Sequence, residues 1–322
     1  MDNQMQNEIN DHTAPCLIEH FVGQERVKIL IKTALEASWM DGTRLPHMIF
    51  SGPPGVGKSQ LAAILAKEMG VELIEQLAQN LSGISDVQGF LLQAKEKSVL
   101  LLDETDQLGK LQQVTLYRAL ENGKLFLTSG SKKQSTTIRL EPFTLIACTN
   151  FPESLLKPLQ DRFKINLPFT WYSHNEIETI LKNRVAHLKW EIAEQVFSEI
   201  ALRSRGTPRI ALRILESTRR TARANGDSEI NLEHLHATLD MEGIDCLGLT
   251  LDERKYMLIV NQHNNLIRLN IIATCFGMSQ RSISTNVEPY LIRIGLLTKD
   301  PHNGCRVLTE KGLKHIIDNP VE

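Results

Sequence analysis

The sequence lacks three features that would each have assigned the protein to a special class. No stretch approaches the 18 consecutive apolar residues that a membrane-spanning helix requires. The polar N-terminus, MDNQMQNEINDH, has no apolar segment typical of a secretory signal. The five cysteines, Cys16, Cys148, Cys246, Cys275 and Cys305, are odd in number and form no CxxC pair. Neither a disulfide framework nor a zinc site is indicated, and we expect a protein of the reducing cytoplasm.

A basic excess is also lacking. The chain has 36 Lys and Arg against 38 Asp and Glu, which gives a formal net charge of -2. Proteins that grip DNA unaided usually carry a basic excess, because phosphate contacts dominate their affinity. If this protein acts on DNA, either its basic residues are locally clustered or a partner supplies the grip.

The length of 322 residues, with 42% hydrophobic residues, is sufficient for two or three compact domains. Residues 1–14 are polar and are predicted to be a disordered arm. Residues 15–172 are predicted to form a parallel-sheet domain. Helical periodicity predicts a small helical domain over residues 173–243. A third domain is predicted over residues 244–322.

Four apolar runs are the strand candidates of the first domain: HMIFSG, ELIEQL, SVLLLDE and FTLIACTN. They alternate with helix-like segments, which favours an α/β fold with helices on both faces of a parallel sheet. In the third domain, DERKYMLIVNQH, LNIIATCF and RSISTNVEPYLIRIG are predicted helices. LLTKDPHNGCRVLTEKG is predicted to contain two short strands around a turn, so the third domain is predicted to be a winged helix.

The segment GPPGVGKS fits the phosphate-binding pattern G-x-x-x-x-G-K-[ST] and lies between a predicted strand and a predicted helix. Gly52, Gly55 and Gly57 allow backbone N–H groups to turn toward phosphate oxygens. Lys58 adds a positive charge at the β- and γ-phosphates of ATP, and Ser59 supplies a hydroxyl to Mg²⁺. A chance match in a glycine-rich loop would not have this strand and helix around it.

A second acidic motif, VLLLDETD, ends another predicted strand. Asp103 is predicted to hold Mg²⁺ through water, and Glu104 to polarise the attacking water. Phosphoryl transfer needs one carboxylate of each kind, since it depends on positioning and electrostatics. Taken alone, the motif is as readily an ordinary acidic end of a strand.

Three further polar residues follow in an order that suits the same site. Asn150 ends the strand TLIACTN, where it could reach the γ-phosphate or the water. Arg162 in the segment DRF could act as an arginine finger on a neighbouring subunit. Arg209 begins a predicted helix in the segment GTPR. Each residue alone is more readily a polar strand end or a solvated surface charge.

Together these segments resemble one family, the RuvB Holliday-junction branch-migration helicases of bacteria, which belong to the AAA+ ATPases. The phosphate-binding motifs resemble AAA+ ATPases in general, whereas RSRGTPRIALR, LENG with PFTL, and VEPYLIRIGLL are much more specific. The resemblance runs from about Glu19 to Ile316. It implies an AAA+ sheet domain, a helical lid domain and a C-terminal winged helix. It also implies ATP hydrolysis between the subunits of a hexameric ring.

The resemblance assigns roles residue by residue. It implies that Arg162 is the finger in trans, that Asn150 is the first sensor, and that Arg209 is the second sensor. Tyr172 matches a tyrosine that lies close to the nucleotide in the family. Gln60 stands after the phosphate-binding serine, where the family usually has a threonine.

The resemblance also implies two partners, a four-way DNA junction and a RuvA-like junction-binding protein. The segment from Leu120 to Leu140 matches the hairpin that docks RuvA, so Leu125, Phe126 and Leu127 are candidates for an apolar contact. Without the resemblance, these three residues would be assigned to a plain buried strand.

In the winged helix, Arg281, Lys299 and Arg306 are predicted to contact DNA, with solvated surface bases as the alternative. The wing segment KDPHNGCR lacks the middle arginine of the family pattern. Two other departures are Ala14-Pro15 in place of Arg-Pro, and Asp106-Gln107 in place of His-Arg after the acidic pair.

Three functions fit these patterns to different degrees. The first is an ATP-driven DNA motor that promotes branch migration in recombination and repair. The second is a nucleotide-switched loader or scaffold, similar to a clamp loader. The third is a DNA-binding regulator in which the winged helix dominates. The complete set of Lys58, Asp103, Glu104 and Arg162 favours turnover and hence the motor.

Overall fold

A computed structural model describes residues 17–129, 134–263 and 265–320. The predicted arm, residues 1–14, and the Ala14-Pro15 pair lie outside the described residues. The chain forms two compact units. The first unit comprises Met1–Trp190 and Gly206–Arg213, and the second comprises Glu191–Arg205 and Ile214–Glu322. No helix among the described residues is long and apolar enough to cross a membrane.

The first unit alternates helices and strands, with one antiparallel hairpin inserted before the fourth strand of its main sheet. Its elements are α1 (Glu25–Met40), β1 (Met48–Ser51), α2 (Lys58–Glu68), β2 (Leu73–Leu77), α3 (Ile84–Leu92), β3 (Val99–Asp103), α4 (Lys110–Asn122), β4 (Lys124–Ser129), β5 (Gln134–Arg139), β6 (Thr144–Thr149), α5 (Lys157–Gln160), β7 (Ile165–Pro168) and α6 (His174–Leu188).

The main sheet has five parallel strands in the order β2-β3-β6-β1-β7. All four predicted strands are present, as β1, β2, β3 and β6. The apolar runs of β1 and β6 reflect burial on both faces, since both strands are buried at every position. The fifth strand, β7, was not predicted. The α/β fold with a parallel sheet is confirmed.

Helices and strands of this unit bury their apolar side chains. Val27, Ile31 and Leu35 recur at helical spacing and form the buried side of α1. On one face of the sheet, Leu100 and Leu102 of β3 belong to a cluster that continues through α3, α4 and β6. The carboxyl ends of β1, β3 and β6 therefore meet at one edge of a rigid sheet, where ligands of such folds bind.

Strands β4 and β5 form the hairpin that the resemblance implied, with Lys124 opposite Arg139 and Leu125 opposite Ile138. Residues 130–133 and the side chain of Leu127 lie outside the described part of the chain. Leu125 is 2% exposed and belongs to the core, whereas Phe126 on the opposite face of the strand is 51% exposed. Phe126 alone of these two is accessible to a partner.

The second unit contains a helical segment followed by a winged helix. Its elements are β8 (Glu191–Ile192), α7 (Glu194–Arg203), α8 (Pro208–Ala224, which begins in the first unit), β9 (Glu229–Ile230), α9 (Leu232–Glu242), α10 (Leu251–Gln262), α11 (Leu269–Phe276), α12 (Gln280–Asn286), α13 (Glu288–Arg293), β10 (Leu297–Lys299), β11 (Arg306–Leu308) and α14 (Glu310–Asp318).

The winged helix has its own core, which includes Tyr256, Ile272 and Leu291. The third predicted helix is two helices, because Pro289 has no N–H to donate to the preceding turn and instead lies in the first turn of α13. Strands β10 and β11 pair antiparallel, as predicted for the wing. The last helix, α14, was not predicted.

Candidate functional site

The loop between β1 and α2 has the backbone of a phosphate cradle. Gly52 has φ 140°, and a Cβ atom there would collide with the carbonyl oxygen of Phe169. Gly57 has φ 92°, and a Cβ atom there would lie 3.0 Å from the ring of Phe21. Only glycine adopts these conformations without strain. The loop therefore turns its backbone at the start of α2, where N–H groups and the helix dipole favour an anion.

Lys58 is the buried cation of this loop, at 8% exposure. Its Nζ donates hydrogen bonds to the carbonyl oxygens of Gly52 at 2.9 Å and Pro53 at 2.7 Å, and to Oδ1 of Asn150 at 2.9 Å. Burial lowers the pKa of the ammonium group, and the neighbouring carboxylate of Asp103 opposes that shift. The bond to Asn150 joins the loop after β1 to the end of β6.

Ser59 and Asp103 form a further hydrogen bond of the site. The Ser59 hydroxyl donates to Oδ2 of Asp103 at 2.5 Å. A hydroxyl and a carboxylate are oxygen donors of the kind that Mg²⁺ prefers, and Mg²⁺ in nucleotide sites takes few protein ligands. Among the described residues, no group of three or more His, Cys, Asp or Glu could hold a metal ion. The arrangement thus fits a nucleotide-bound Mg²⁺ rather than a cation held by the protein alone.

Glu104 lies directly beyond Asp103, at the point where β3 ends. Its backbone is left-handed, with φ 51° and ψ 42°, and its N–H donates to Oδ1 of Asp103 at 2.8 Å. A residue other than glycine rarely adopts this conformation, and such strain is concentrated at functional sites. The conformation leaves the Glu104 side chain exposed beside Asp103.

Asp106 and Thr149, to which the sequence assigned no role in the site, are hydrogen-bonded to each other at the end of β6. Oδ1 of Asp106 accepts the Thr149 hydroxyl at 2.7 Å and the Asn150 N–H at 3.4 Å. The Thr149 hydroxyl in turn accepts the N–H of Phe151 at 3.0 Å. Asp106 was recognised in the sequence only as a departure from the family pattern, and nothing in the sequence paired it with Thr149.

Tyr172, Gln60 and Arg209 lie around the phosphate-binding loop. The Tyr172 hydroxyl donates to the carbonyl oxygen of Val56 at 3.0 Å, and burial raises its pKa. Gln60 lies in the first turn of α2, beside the loop. The N–H of Arg209 donates to the carbonyl oxygen of Gly55 at 3.4 Å. Tyr172 and Arg209 thus contact the loop and Gln60 follows it in the chain, and their roles at a nucleotide stay predictions.

The structure does not bring Arg162 into these contacts. Its guanidinium pairs with Oε1 of Glu121 on α4 at 2.6 Å, and both side chains are partly exposed. The sequence did not single out Glu121. An arginine held at the surface by a partly exposed carboxylate is compatible with action on another subunit, so the assignment of Arg162 stays a prediction.

The three predicted DNA contacts have different environments. Arg306 bonds Glu288 through Nε at 2.8 Å, and Lys299 lies 3.5 Å from the same carboxylate. Glu288 is 1% exposed and also accepts the Tyr256 hydroxyl at 2.8 Å. Burial alone would raise the pKa of Glu288, but the bonds from Arg306 and Tyr256 and the charge of Lys299 bring it below its ordinary value. Arg281 is exposed at the start of α12.

Three family models match the chain in succession. Residues 13–169 match the Holliday junction DNA helicase RuvB P-loop domain. Residues 172–245 match the RuvB AAA lid domain, and residues 246–317 match the RuvB C-terminal winged helix domain.

Whole proteins give the same likeness. The chain is 33% identical over 312 residues to the Holliday junction branch migration complex subunit RuvB of Prochlorococcus marinus (strain NATL2A), which covers 95% of this chain and 87% of that protein. It is 35% identical over 306 residues to the subunit RuvB 2 of Synechococcus sp. (strain JA-3-3Ab), covering 94% and 82%. Among solved structures, the Thermotoga maritima RuvB Holliday junction branch migration motor superposes with a TM-score of 0.82 at 31% identity, covering 97% of this chain and all of that chain.

Proposed function

The chain belongs to the RuvB family of Holliday junction DNA helicases, and we propose that it is an ATP-hydrolysing motor that drives branch migration at four-way DNA junctions. The observation that carries this proposal is the set of two hydrogen bonds at one edge of the sheet, from Lys58 to Asn150 and from the adjacent Ser59 to Asp103. Such a set assembles a phosphate cradle, a metal position and a polar sensor from three strands.

ATP is the proposed nucleotide. Lys58 would exchange its two carbonyl partners for β- and γ-phosphate oxygens, since a phosphate is the stronger acceptor for an ammonium group. Asn150 would stay beside Lys58 and donate its amide to the γ-phosphate or the water. Tyr172, Gln60 and Arg209 would border the nucleotide.

Mg²⁺ is the proposed metal, with Ser59 and Asp103 holding it on the protein side. When bound, it neutralises charge on the phosphates. Glu104 would orient and polarise the attacking water from the strained position after β3. Proton acceptance by Glu104 and charge stabilisation by Lys58 are the contributions of this subunit to hydrolysis.

We propose that Arg162 completes the site of a neighbouring subunit in a ring. The support is its exposed position and its absence from the contacts around Lys58 in its own subunit. A ring of six subunits is the family expectation for this arrangement. Arg162 would release Glu121 when it meets the γ-phosphate of the neighbour.

The proposed DNA substrate is a four-way junction, and the proposed protein partner is a RuvA-type junction-binding protein. Phe126 supports the second assignment, since a half-exposed aromatic ring on the outer face of a hairpin suits an apolar contact. The proposed DNA contacts of the winged helix are Arg281, Lys299 and Arg306. Arg281 is exposed, whereas Lys299 and Arg306 lie beside the buried Glu288. The cytoplasmic location belongs to the same proposal, because the chromosome of bacterial relatives lies there.

The deciding experiment measures ATP hydrolysis and branch migration of a synthetic four-way junction, with and without a RuvA-type protein. We expect junction DNA and the partner to stimulate hydrolysis, and the junction to migrate only when ATP is hydrolysed. The Glu104→Gln variant serves as control, because it should bind ATP yet hydrolyse it at least about 100-fold more slowly. Nucleotide-dependent binding of a partner without any migration would instead support the loader.

A further inference from the structure

Asp106 joins two parts of the nucleotide site that belong to different strands. It lies in the single 3-10 turn Thr105–Gln107 that follows β3, two residues beyond Glu104. Its Oδ1 accepts the Thr149 hydroxyl at 2.7 Å and the Asn150 N–H at 3.4 Å, both at the end of β6. One carboxylate oxygen thus connects the turn that carries Glu104 to the residue that carries the sensor amide.

The turn that holds Asp106 is itself fixed. Thr105 is fully buried, and its hydroxyl donates to the carbonyl oxygen of Leu102 at 2.8 Å. The N–H of Leu108 donates to the carbonyl oxygen of Thr105 at 3.1 Å. Because the turn is anchored on both sides, the Asp106 carboxylate presents a fixed acceptor to β6.

These contacts close a ring of hydrogen bonds around the place of the phosphates. Asp103 accepts from Ser59, the neighbouring Lys58 donates to Asn150, and the backbone of Asn150 donates to Asp106. The chain from Asp106 back to Asp103 passes through Glu104 and Thr105. The ring therefore holds Glu104, after β3, at a fixed distance from Asn150, after β6. Hydrolysis needs this fixed geometry, because the attacking water must be aligned with the γ-phosphate.

We propose that Asp106 is a positioning residue for ATP hydrolysis, which holds Asn150 in register with Glu104. The inference rests on the proposed ATPase function and deepens it. Oδ1 of Asp106 contacts the Thr149 hydroxyl and the backbone of Asn150, so we expect it to act through Asn150. The acceptor oxygen performs the task, and the negative charge is not required.

The test compares Asp106→Ala with Asp106→Asn in the full-length protein. Loss of the acceptor in Asp106→Ala frees the end of β6, and we expect kcat for ATP to fall about 10- to 100-fold, since a misplacement of about 1 Å costs as much as 100-fold. The affinity for a fluorescent ATP analogue should stay within about threefold, because Lys58 and the glycine loop remain. In Asp106→Asn the amide oxygen replaces the acceptor, so kcat should return to within about threefold of the parent.

Two further variants isolate the contact. Gln107→Ala removes only the exposed bond to the outer oxygen of Asp106, at 2.9 Å, and should hydrolyse ATP at the parent rate. Thr149→Val removes the hydroxyl that Asp106 accepts while keeping the volume of the side chain. Thr149→Val also removes the acceptor for the Phe151 N–H, so it has an effect of its own. The double variant Asp106→Ala with Thr149→Val should nevertheless lose less activity than the product of the two single losses, because both changes remove the shared Asp106–Thr149 contact.

The outcomes separate this inference from the proposed function. A parent protein that hydrolyses ATP, together with an inactive Glu104→Gln variant, supports the ATPase whatever Asp106 does. The inference is overturned if Asp106→Ala retains the parent kcat. It is equally overturned if Asp106→Asn is as slow as Asp106→Ala, since the charge and not the acceptor would then matter. A loss of nucleotide affinity equal to the loss of kcat, or a lowered melting temperature that accounts for both, would assign Asp106 a general structural role.

Discussion

At the residue scale, the sequence indicates the chemistry of single residues, but it does not indicate every contact between two residues. Lys58, Ser59, Asp103 and Asn150 stand at the ends of strands or at the start of a helix, so a parallel sheet is enough to predict that they meet. The contact of Asp106 with Thr149 depends on the register that places Leu102 beside Ala147. No local pattern encodes that register, so the pair was not predictable.

We expect one buried residue of the sheet domain, His47, to contribute a pH dependence to stability. His47 is buried, and burial together with the charges of Arg44 and Lys164 lowers its pKa to about 3 from an ordinary 6.5. Between about pH 6.5 and pH 3, His47 is therefore protonated in the unfolded chain but neutral in the folded chain. We expect His47 to reduce the free energy of unfolding as pH falls through this window, by up to about 1.4 kcal/mol per pH unit.

The matched variant is His47→Asn. Nδ1 of His47 accepts the N–H of Leu145 at 2.9 Å, and the amide oxygen of asparagine can occupy that place without titrating. Urea unfolding of both proteins at pH 4.5, 5.5 and 7.5 measures the effect. The difference in stability should shift in favour of the variant as pH falls. A difference that stays constant across the three pH values would show that His47 is not the titrating group.

At the scale of elements, long apolar runs made the central strands predictable, whereas strands with short apolar runs were not predicted. Strand β7 reads Ile-Asn-Leu-Pro, where only Leu167 is fully buried, so its pattern resembles a loop. Pro289 divides the third helix of the winged domain, although the apolar spacing on both sides continues. Helical periodicity thus locates the segment but not the break.

The hairpin β4–β5 presents two neighbouring side chains with opposite roles. Phe126→Ala removes a half-exposed ring and should weaken binding of a RuvA-type partner by at least about 10-fold, as for an aromatic interface residue, while the melting temperature stays unchanged. Leu125→Ala empties a buried position and should cost about 2–5 kcal/mol of folding stability. Calorimetric binding and thermal melting of both variants measure this contrast. Parent affinity in Phe126→Ala would place the docking surface elsewhere.

The wing of the last domain gives a comparable contrast. Removal of Arg306 leaves the buried Glu288 with fewer partners, so Arg306→Ala should destabilise the winged helix by about 3 kcal/mol. Arg281→Ala removes an exposed cation and should instead weaken DNA binding and reduce its salt dependence by about one phosphate contact. Melting curves and salt titrations of DNA binding distinguish the two effects. If Arg281→Ala binds DNA with the parent salt slope, α12 does not contact the phosphates.

At the scale of the whole molecule, the described residues of one chain bring together only part of the proposed hydrolytic site. Lys58, Asp103, Glu104 and Asn150 lie together, but Arg162 is held by Glu121 at the surface. Sequence order identified Arg162 as a candidate, yet a single chain cannot provide the contact that a neighbour would complete. We therefore expect the motor function to depend on assembly.

Mixing two inactive variants tests this dependence. In an assembly of Arg162→Ala and Glu104→Gln subunits, an interface is intact when Glu104 of the first variant faces Arg162 of the second. At equal amounts and random order, about one interface in four meets this condition, so hydrolysis should recover toward that fraction. If Arg162 served its own subunit, every site would lack one group and no mixture would recover. The matched control mixes Lys58→Ala with Glu104→Gln subunits. Lys58 and Glu104 both act at the nucleotide site of their own subunit, so each site in the mixture lacks one of them and hydrolysis should not recover. ATP hydrolysis measured at several mixing ratios decides whether Arg162 acts on a neighbouring subunit or on its own. Size-exclusion chromatography of each mixture shows whether the rings still form. If they form and no mixture recovers hydrolysis, Arg162 acts within its own chain.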